Sequence, residues 1–209
     1  MTLRMGDSVV VANIPAGLDA VAGYVGGYWP TYDRLVAAFP GCRHLSIAVT
    51  AGQRADCLDV EAGDASPDQV PGWLARWQPG NTRMPVVYTS ASNAAAVAAA
   101  VGDRSRYLLW SAHYAHPHIC GPAPGCGYPA ADGTQWTDHG GAWDESALAD
   151  DFFTRGPTPP GGEADMPLTA DDIKAIETML REQFQPGHEL HDRVVQACMQ
   201  AIKQQPPAR

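Results

Sequence analysis

Short apolar runs alternate with helical stretches through residues 1–155, and this alternation constrains the fold more than any other feature of the chain. The runs lie at 3–7, 20–25, 45–50, 55–61, 85–89 and 106–113. They are bounded by Gly, Pro, Asn or Asp, as strands are. Two weaker runs fall at 134–137 and 142–144. Helical stretches at 32–39, 67–77 and 92–101 separate several of them. The first stops at Pro40-Gly41. The second opens with Ser66 as N-cap and Pro67 at the first helical position. The third is rich in Ala and ends at Gly102. A helix between two strands returns the chain to its starting end, so the paired strands run parallel. Eight candidate strands favour a barrel over an open sheet, and the later connections are too short for full helices. The expected fold class is α/β, a trimmed (β/α)8 TIM-like barrel followed by a C-terminal helical hairpin.

The alternation ends near Arg155. Residues 155–167 read RGPTPPGGEADMP, where Pro and Gly without apolar periodicity mark a linker. Beyond it, Thr169 precedes Ala170-Asp171-Asp172, an N-cap with an acidic first turn. Ile173, Ile176, Leu180 and Phe184 then recur at helical spacing. Pro186-Gly187 ends that helix, and a second carries Leu190, Val194, Ala197, Cys198 and Ile202. The expected domains are a barrel over 1–154, a linker over 155–167 and a helical segment over 168–209. The apolar stripe of that segment is expected to dock on the barrel, on a second copy, or on a larger assembly such as a virion.

The segment Ala55-Asp56-Cys57-Leu58-Asp59-Val60-Glu61 carries the chemistry. Side chains alternate along a strand, so Leu58 and Val60 point one way while Cys57, Asp59 and Glu61 point the other. The outward face of a barrel strand packs on helices and takes branched apolar residues. Asp59 and Glu61 therefore face inward at the C-terminal end of the strand, where barrel active sites lie. Two carboxylates about 7 Å apart in a partly desolvated mouth raise each other's pKa. One then stays protonated and can donate to a leaving oxygen while the other is anionic, as glycoside hydrolysis requires. The competing explanation for a D-x-E is a hydrogen-bonded strand end or a helix cap. The apolar strand before it, and Gly63 with a capped helix after it, favour the site.

Charge narrows the partners. Lys and Arg total 14 against 23 Asp and Glu, a net charge of -9, without any basic run. Nucleic-acid binding needs clustered cations, so no nucleic-acid partner is expected. No run of 18 apolar residues occurs, so no membrane span is expected. A charged n-region followed by an apolar stretch is absent, so synthesis in the cytoplasm without a signal peptide is expected.

The remaining constellations carry less. His113, His116 and His118 lie close together with Cys120 and Cys126 beyond, across a Pro-containing loop. This is neither a helical H-E-x-x-H nor a Cys-x-x-Cys pair, so neither a metal nor a cofactor is expected. His113 continues the face of Leu109 and Ser111 and is expected to face the site. Cys120 and Cys126 are either a disulfide or two thiols. Cys57 is expected to be buried and inert. Trp73 and Trp77, four apart on one helix, are expected in the core. Trp110, Trp136 and Trp143 lie near strand ends, where indole faces suit a glycan cleft. Gly23-Tyr24-Val25-Gly26-Gly27 lacks the Lys-Ser/Thr of a phosphate loop and is expected to be a close turn at the barrel mouth.

Five segments in order resemble the glycoside hydrolase family 25 lysozymes, and more closely the actinobacterial and actinophage proteins with a family-25-like domain. They are Cys57-Leu58-Asp59-Val60-Glu61, Pro85-Val86-Val87-Tyr88-Thr89-Ser90, Leu109-Trp110-Ser111-Ala112-His113-Tyr114, Gln135-Trp136-Thr137-Asp138 and Trp143-Asp144-Glu145-Ser146. The resemblance implies a (β/α)8-like barrel and a muramidase, cleaving the β-1,4 bond from N-acetylmuramic acid to N-acetylglucosamine in peptidoglycan. It implies Glu61 as general acid and Asp59 as its partner, which stabilises the oxazolinium or oxocarbenium species or orients water. Asp7 and Asp144 match the first-strand and last-strand aspartates. Tyr88, Trp110, Tyr114, Gln135 and Trp136 match positions lining the groove. The setting it implies is the cell wall, as an endolysin, or a phage particle. The second expectation is a virion or wall protein that binds glycan without cutting it and assembles through 168–209.

Overall fold

The computed structural model describes residues 2–77, 82–115, 117–120 and 130–156. The chain divides into two units, Met1–Thr158 and Pro159–Arg209, and all described residues belong to the first. The helices expected in 168–209 lie outside the described residues, as do His116 and Cys126.

Eight strands form one closed barrel in sequence order. They are β1 (Thr2–Asp7), β2 (Ala20–Tyr24), β3 (Arg43–Ala48), β4 (Cys57–Val60), β5 (Val86–Ser90), β6 (Leu108–Ala112), β7 (Gly133–Thr137) and β8 (Asp144–Ala149). Three α-helices are described, α1 (Tyr32–Ala38), α2 (Val70–Trp77) and α3 (Ala94–Val101). They follow β2, β4 and β5, and short 3-10 turns or plain turns serve several other connections. The barrel is trimmed, as expected.

Strands β1 to β7 pair in parallel, but β8 runs antiparallel to both β7 and β1. This departs from an all-parallel (β/α)8 barrel. The cause is the connection length: only 138–143 separate β7 from β8, and a parallel crossover needs about a dozen residues. The weak strand expected at 142–144 thus begins at Asp144 and continues to Ala149.

Local signals place the helices. Ser66 caps the turn at Pro67–Gln69 that opens α2, and its N–H donates to Gln69 Oε1 at 3.0 Å. Gly102 stops α3 at φ +75°, a conformation costly for residues with a Cβ, and its N–H reaches Ala98 O at 2.9 Å.

Two apolar layers follow from the period-two pattern. Leu58, Val60, Val87 and Leu109 face outward onto Trp73, Leu74, Val97 and Val101 of α2 and α3. Met5, Ala22, Leu45, Ile47, Cys57, Val86, Leu108 and Leu148 fill the barrel, with Met84, Phe152 and Phe153 in the same cluster. Each fully buried aliphatic side chain contributes about 1.5–3 kcal/mol. Trp73 and Trp77 stack at 5.7 Å, Trp73 within the core as expected. Cys57 is fully buried and its thiol is pushed up by burial, which keeps it inert. Gly133 makes room in the barrel: a Cβ there would meet Leu148 Cδ2 at 2.5 Å and Trp110 Cδ1 at 3.5 Å.

Candidate active site

The C-terminal ends of β1 to β7 and the first residue of β8 form one mouth of the barrel. Asp7 ends β1 and pairs in register with Asp144, which begins β8. Asp59 lies on β4 opposite Tyr88 of β5, and Glu61 follows two residues later. The inward phase of β4 is as the alternation predicts, since Cys57 is in the barrel interior and Leu58 and Val60 pack on the helices.

Asp7 and Asp59 are deeply buried, with 4% and 3% exposure. Burial raises Asp7 well above the usual carboxylate range, and the charges of Asp144 and Asp59 add to it. Asp59 is pushed up to about 8, first by burial and then by Glu61 and Asp64. Oδ2 of Asp7 and Oδ1 of Asp59 are buried without a hydrogen-bond partner. Glu61 is half-buried and also raised, by burial and then by Asp64 and Asp144. It lines a cavity of about 580 Å³ together with Ser66, Ser90 and Asn93.

Asp144 differs from these three. Burial and Asp138 raise it, while hydrogen bonds from Gln135 and Tyr114 act in the opposite direction. Tyr114 Oη donates to Asp144 Oδ1 at 3.5 Å, and Gln135 Nε2 donates to Tyr114 Oη at 3.2 Å. Backbone bonds from His113 N to Gln135 O and from Ala115 N to Trp136 O, both 2.9 Å, extend the β6–β7 pairing and hold Tyr114 there. The net direction is still upward, but among the four mouth carboxylates Asp144 is the one whose rise is opposed by side-chain hydrogen bonds.

The fold treats its other acidic residues differently. Asp56 pairs with Arg83, Asp132 with Arg104 and Arg155, and Glu145 with Arg4 and His139. Burial alone would push Glu145 up, but the bonds from Arg4 and His139 outweigh it and hold its pKa below the ordinary value. Among the described residues, no cation forms an ion pair with Asp7, Asp59, Glu61 or Asp144. Unpaired buried carboxylates are costly, and their clustering at one end of the barrel makes this mouth the candidate site.

The expected groove residues divide by depth. Tyr114 is at the rim, 52% exposed. Gln135 is buried and hydrogen-bonds both to Tyr114 and to Asp144. Tyr88 is buried at the mouth floor, its pKa raised by burial and then by Glu61, Asp7 and Asp59. Trp110 is 1% exposed: it packs on Tyr88 at 4.5 Å and donates from Nε1 to Ser146 Oγ at 3.0 Å. It is interior packing beneath the site rather than a sugar-facing surface. Trp136 is half-buried and is the extra residue of a β-bulge, because Gln135 and Thr137 face the consecutive Ser146 and Glu145. Its ring lies 6.2 Å from that of His139, which stacks on Trp143 at 4.1 Å.

His113 departs from expectation. Leu109 belongs to the helix-side core, so the face it shares with Ser111 and His113 points out of the barrel, while Leu108, Trp110 and Ala112 point in. His113 Nδ1 lies 3.1 Å from Sγ of Cys120, which is disulfide-bonded.

Two residues join the site that sequence reasoning passed over. Tyr24 ends β2, continuing the inward series of Ala20 and Ala22, and its hydroxyl pKa is raised by burial and then by Asp7, Asp59 and Asp144. Asp64 sits one tight turn after Glu61, with its N–H on Glu61 O at 3.1 Å and Gly63 between them at φ +101°. Period two along β2, and the short Glu61-to-Asp64 spacing, were the available signals.

No protein-family model matches the sequence, and no curated protein matches it. Among solved structures, the chain is similar to a family GH25 lysozyme from Aspergillus fumigatus, at 14% identity and TM-score 0.49, covering 71% of this chain and 94% of that one. It is also similar to a muramidase from Acremonium alcalophilum, at 13% identity and TM-score 0.44, covering 71% and 93%. A bacterial lysozyme from Streptomyces coelicolor gives 17% identity and TM-score 0.43, covering 71% and 92%. Likeness at this level assigns no reaction.

Proposed function

We propose that the chain is a peptidoglycan glycosidase of muramidase type, which cleaves a β-1,4 bond by acid-assisted departure of the leaving sugar. One observation carries the reading: four carboxylates converge, without cationic partners among the described residues, on the mouth of a closed barrel. The sequence motifs around them supply the substrate class.

Glu61 is the general acid. It is half-buried, its pKa is raised above the ordinary carboxylate value by burial and neighbouring carboxylates, and it opens onto a cavity lined by Ser66, Ser90 and Asn93 beside Ala62, Ala65 and Pro67. It gives its proton to the departing glycosidic oxygen as the bond to the anomeric carbon breaks. Positive charge then develops on the remaining ring. Asp144, held by Tyr114, supplies the standing negative charge. Asp59, its pKa pushed up to about 8, orients the acetamido group of the sugar or the attacking water toward the anomeric carbon. Water adds there, and one of its protons returns to the Glu61 carboxylate. Asp7, deeper, sets the local field. Tyr88 and Tyr24 wall the site, and Gln135 and Trp136 complete the β7 side. The wall-directed setting, as an endolysin or virion enzyme of an actinobacterium or its phage, belongs to the same proposal. So does assembly through 168–209. The test compares the wild type with Glu61→Gln on purified peptidoglycan.

A further inference from the structure

We propose that the loop between β2 and α1 carries a sugar-binding subsite, in which Trp29 and Tyr28 form a stacking platform for a pyranose ring of a β-1,4-linked glycan, beside the four-carboxylate mouth. The inference deepens the glycosidase reading and rests on it for the identity of the glycan.

The loop exposes large apolar side chains where a soluble protein normally hides them. Tyr28 is 94% exposed and Trp29 63%, with Val9 and Val10 also exposed. Val9, Tyr28 and Trp29 line the same cavity, and exposed apolar side chains grouped in this way fit a binding surface. Trp29 and Tyr28 line a cavity of about 400 Å³ with Tyr24, Val9, Val49 and Asp64. Two of these residues tie it to the mouth. Tyr24 ends β2 two residues beyond Ala22, the register partner of Asp7, and Asp64 N–H donates to Glu61 O at 3.1 Å while the next residue, Ala65, donates to Asp59 O at 3.2 Å. A ligand seated on Trp29 therefore adjoins the reacting centre.

The base of the loop is pre-set. Thr31 N–H donates to Tyr24 O at 2.9 Å, and Tyr24 N–H donates to Thr31 Oγ1 at 3.1 Å, which closes the loop at its base. Thr31 is itself buried. A Cβ at Gly26 would fall 2.0 Å from Gln53 Nε2, so the loop lies flat on Gln53. Gln53 in turn accepts from Val49 N and Thr50 N at 3.0 and 3.1 Å, which fixes the opposite wall. A loop held this way binds without a large ordering cost.

The chemistry selects a sugar. A pyranose ring offers an apolar C–H face and a hydroxyl-bearing edge. An indole face bordered by a carboxylate acceptor complements both. The same carboxylate, and a net charge of -9, disfavour an anionic membrane.

The experiment uses the full chain carrying Glu61→Gln, so that the ligand survives, titrated calorimetrically with a peptidoglycan-derived tetrasaccharide. Adding Trp29→Ala is expected to weaken binding at least tenfold, and Trp29→Phe, which keeps a ring face, to recover most of it. Thermal melting checks that each variant folds. Equal affinity with and without Trp29, or no binding of the tetrasaccharide by the Glu61→Gln parent, overturns the subsite. Wall cleavage by the wild type is measured separately. Trp29-dependent binding by a chain that cuts no wall sustains the subsite and sinks the glycosidase reading. Wall cleavage with kcat/KM unchanged in Trp29→Ala sinks the subsite alone.

Discussion

Asp7 and Asp144 face each other in register, the last residue of β1 against the first residue of an antiparallel β8. Reversing that one strand brings an aspartate from its N-terminal end to the mouth where the other strands deliver their C-terminal ends. A parallel β8 would place its last residue, Ala149, there instead. The pairing also explains part of the elevation of Asp7, which burial begins and the Asp144 charge extends.

The buried carboxyl of Asp59 makes stability depend on pH in a definite direction. Its folded pKa, about 8, lies above the ordinary carboxylate value. The folded chain therefore holds a proton that the unfolded chain has released, and stability falls as pH rises from about 4 toward 8. Asp59→Asn removes this dependence. It is expected to raise the melting temperature at pH 8, by an amount equivalent to about 5 kcal/mol, and to leave it nearly unchanged at pH 4. Thermal unfolding of both proteins across that range checks it.

Asp64 acts on the pH profile rather than on the fold. Its charge raises both Glu61 and Asp59, and the residue is exposed. Asp64→Asn is expected to lower the pKa of the acid, moving the alkaline limb of kcat/KM to lower pH while the melting temperature stays within experimental spread. A limb that does not move would remove Asp64 from the site.

Trp110 is expected to matter for stability. It is buried between Tyr88 and the space left by Gly133, with its indole N–H on Ser146. Trp110→Ala is expected to cost about 3–5 kcal/mol in denaturant unfolding. Trp110→Phe should cost less, from a smaller cavity and the lost donor to Ser146. A stable Trp110→Ala protein with weakened glycan binding would instead return this residue to the groove.

Much of this was legible in the sequence because period two is local. Leu58 and Val60 against Cys57 and Asp59 named the inward face of β4, and Ser66-Pro67 and Gly102 marked helix ends that the structure retains. The direction of β8 was harder. Its inward series Asp144, Ser146, Leu148 begins polar and supports only the weak strand at 142–144, although the six residues before it already ruled out a crossover. Depth in the barrel was not legible at all. Trp110 is buried because the register sets it beside Gly133 on β7, and pairing across strands is not a property of either segment alone. His113 failed through phase: Leu109 is apolar on either face of a barrel strand, so its neighbours could not say which side it took.

The most direct measurement is turbidity loss and released reducing sugar on purified actinobacterial peptidoglycan, wild type beside Glu61→Gln, with both proteins shown to be folded. The account predicts lysis by the wild type and a loss of about 100-fold or more in the variant, the usual contribution of a positioned general acid. Lysis by Glu61→Gln at the wild-type rate would contradict it.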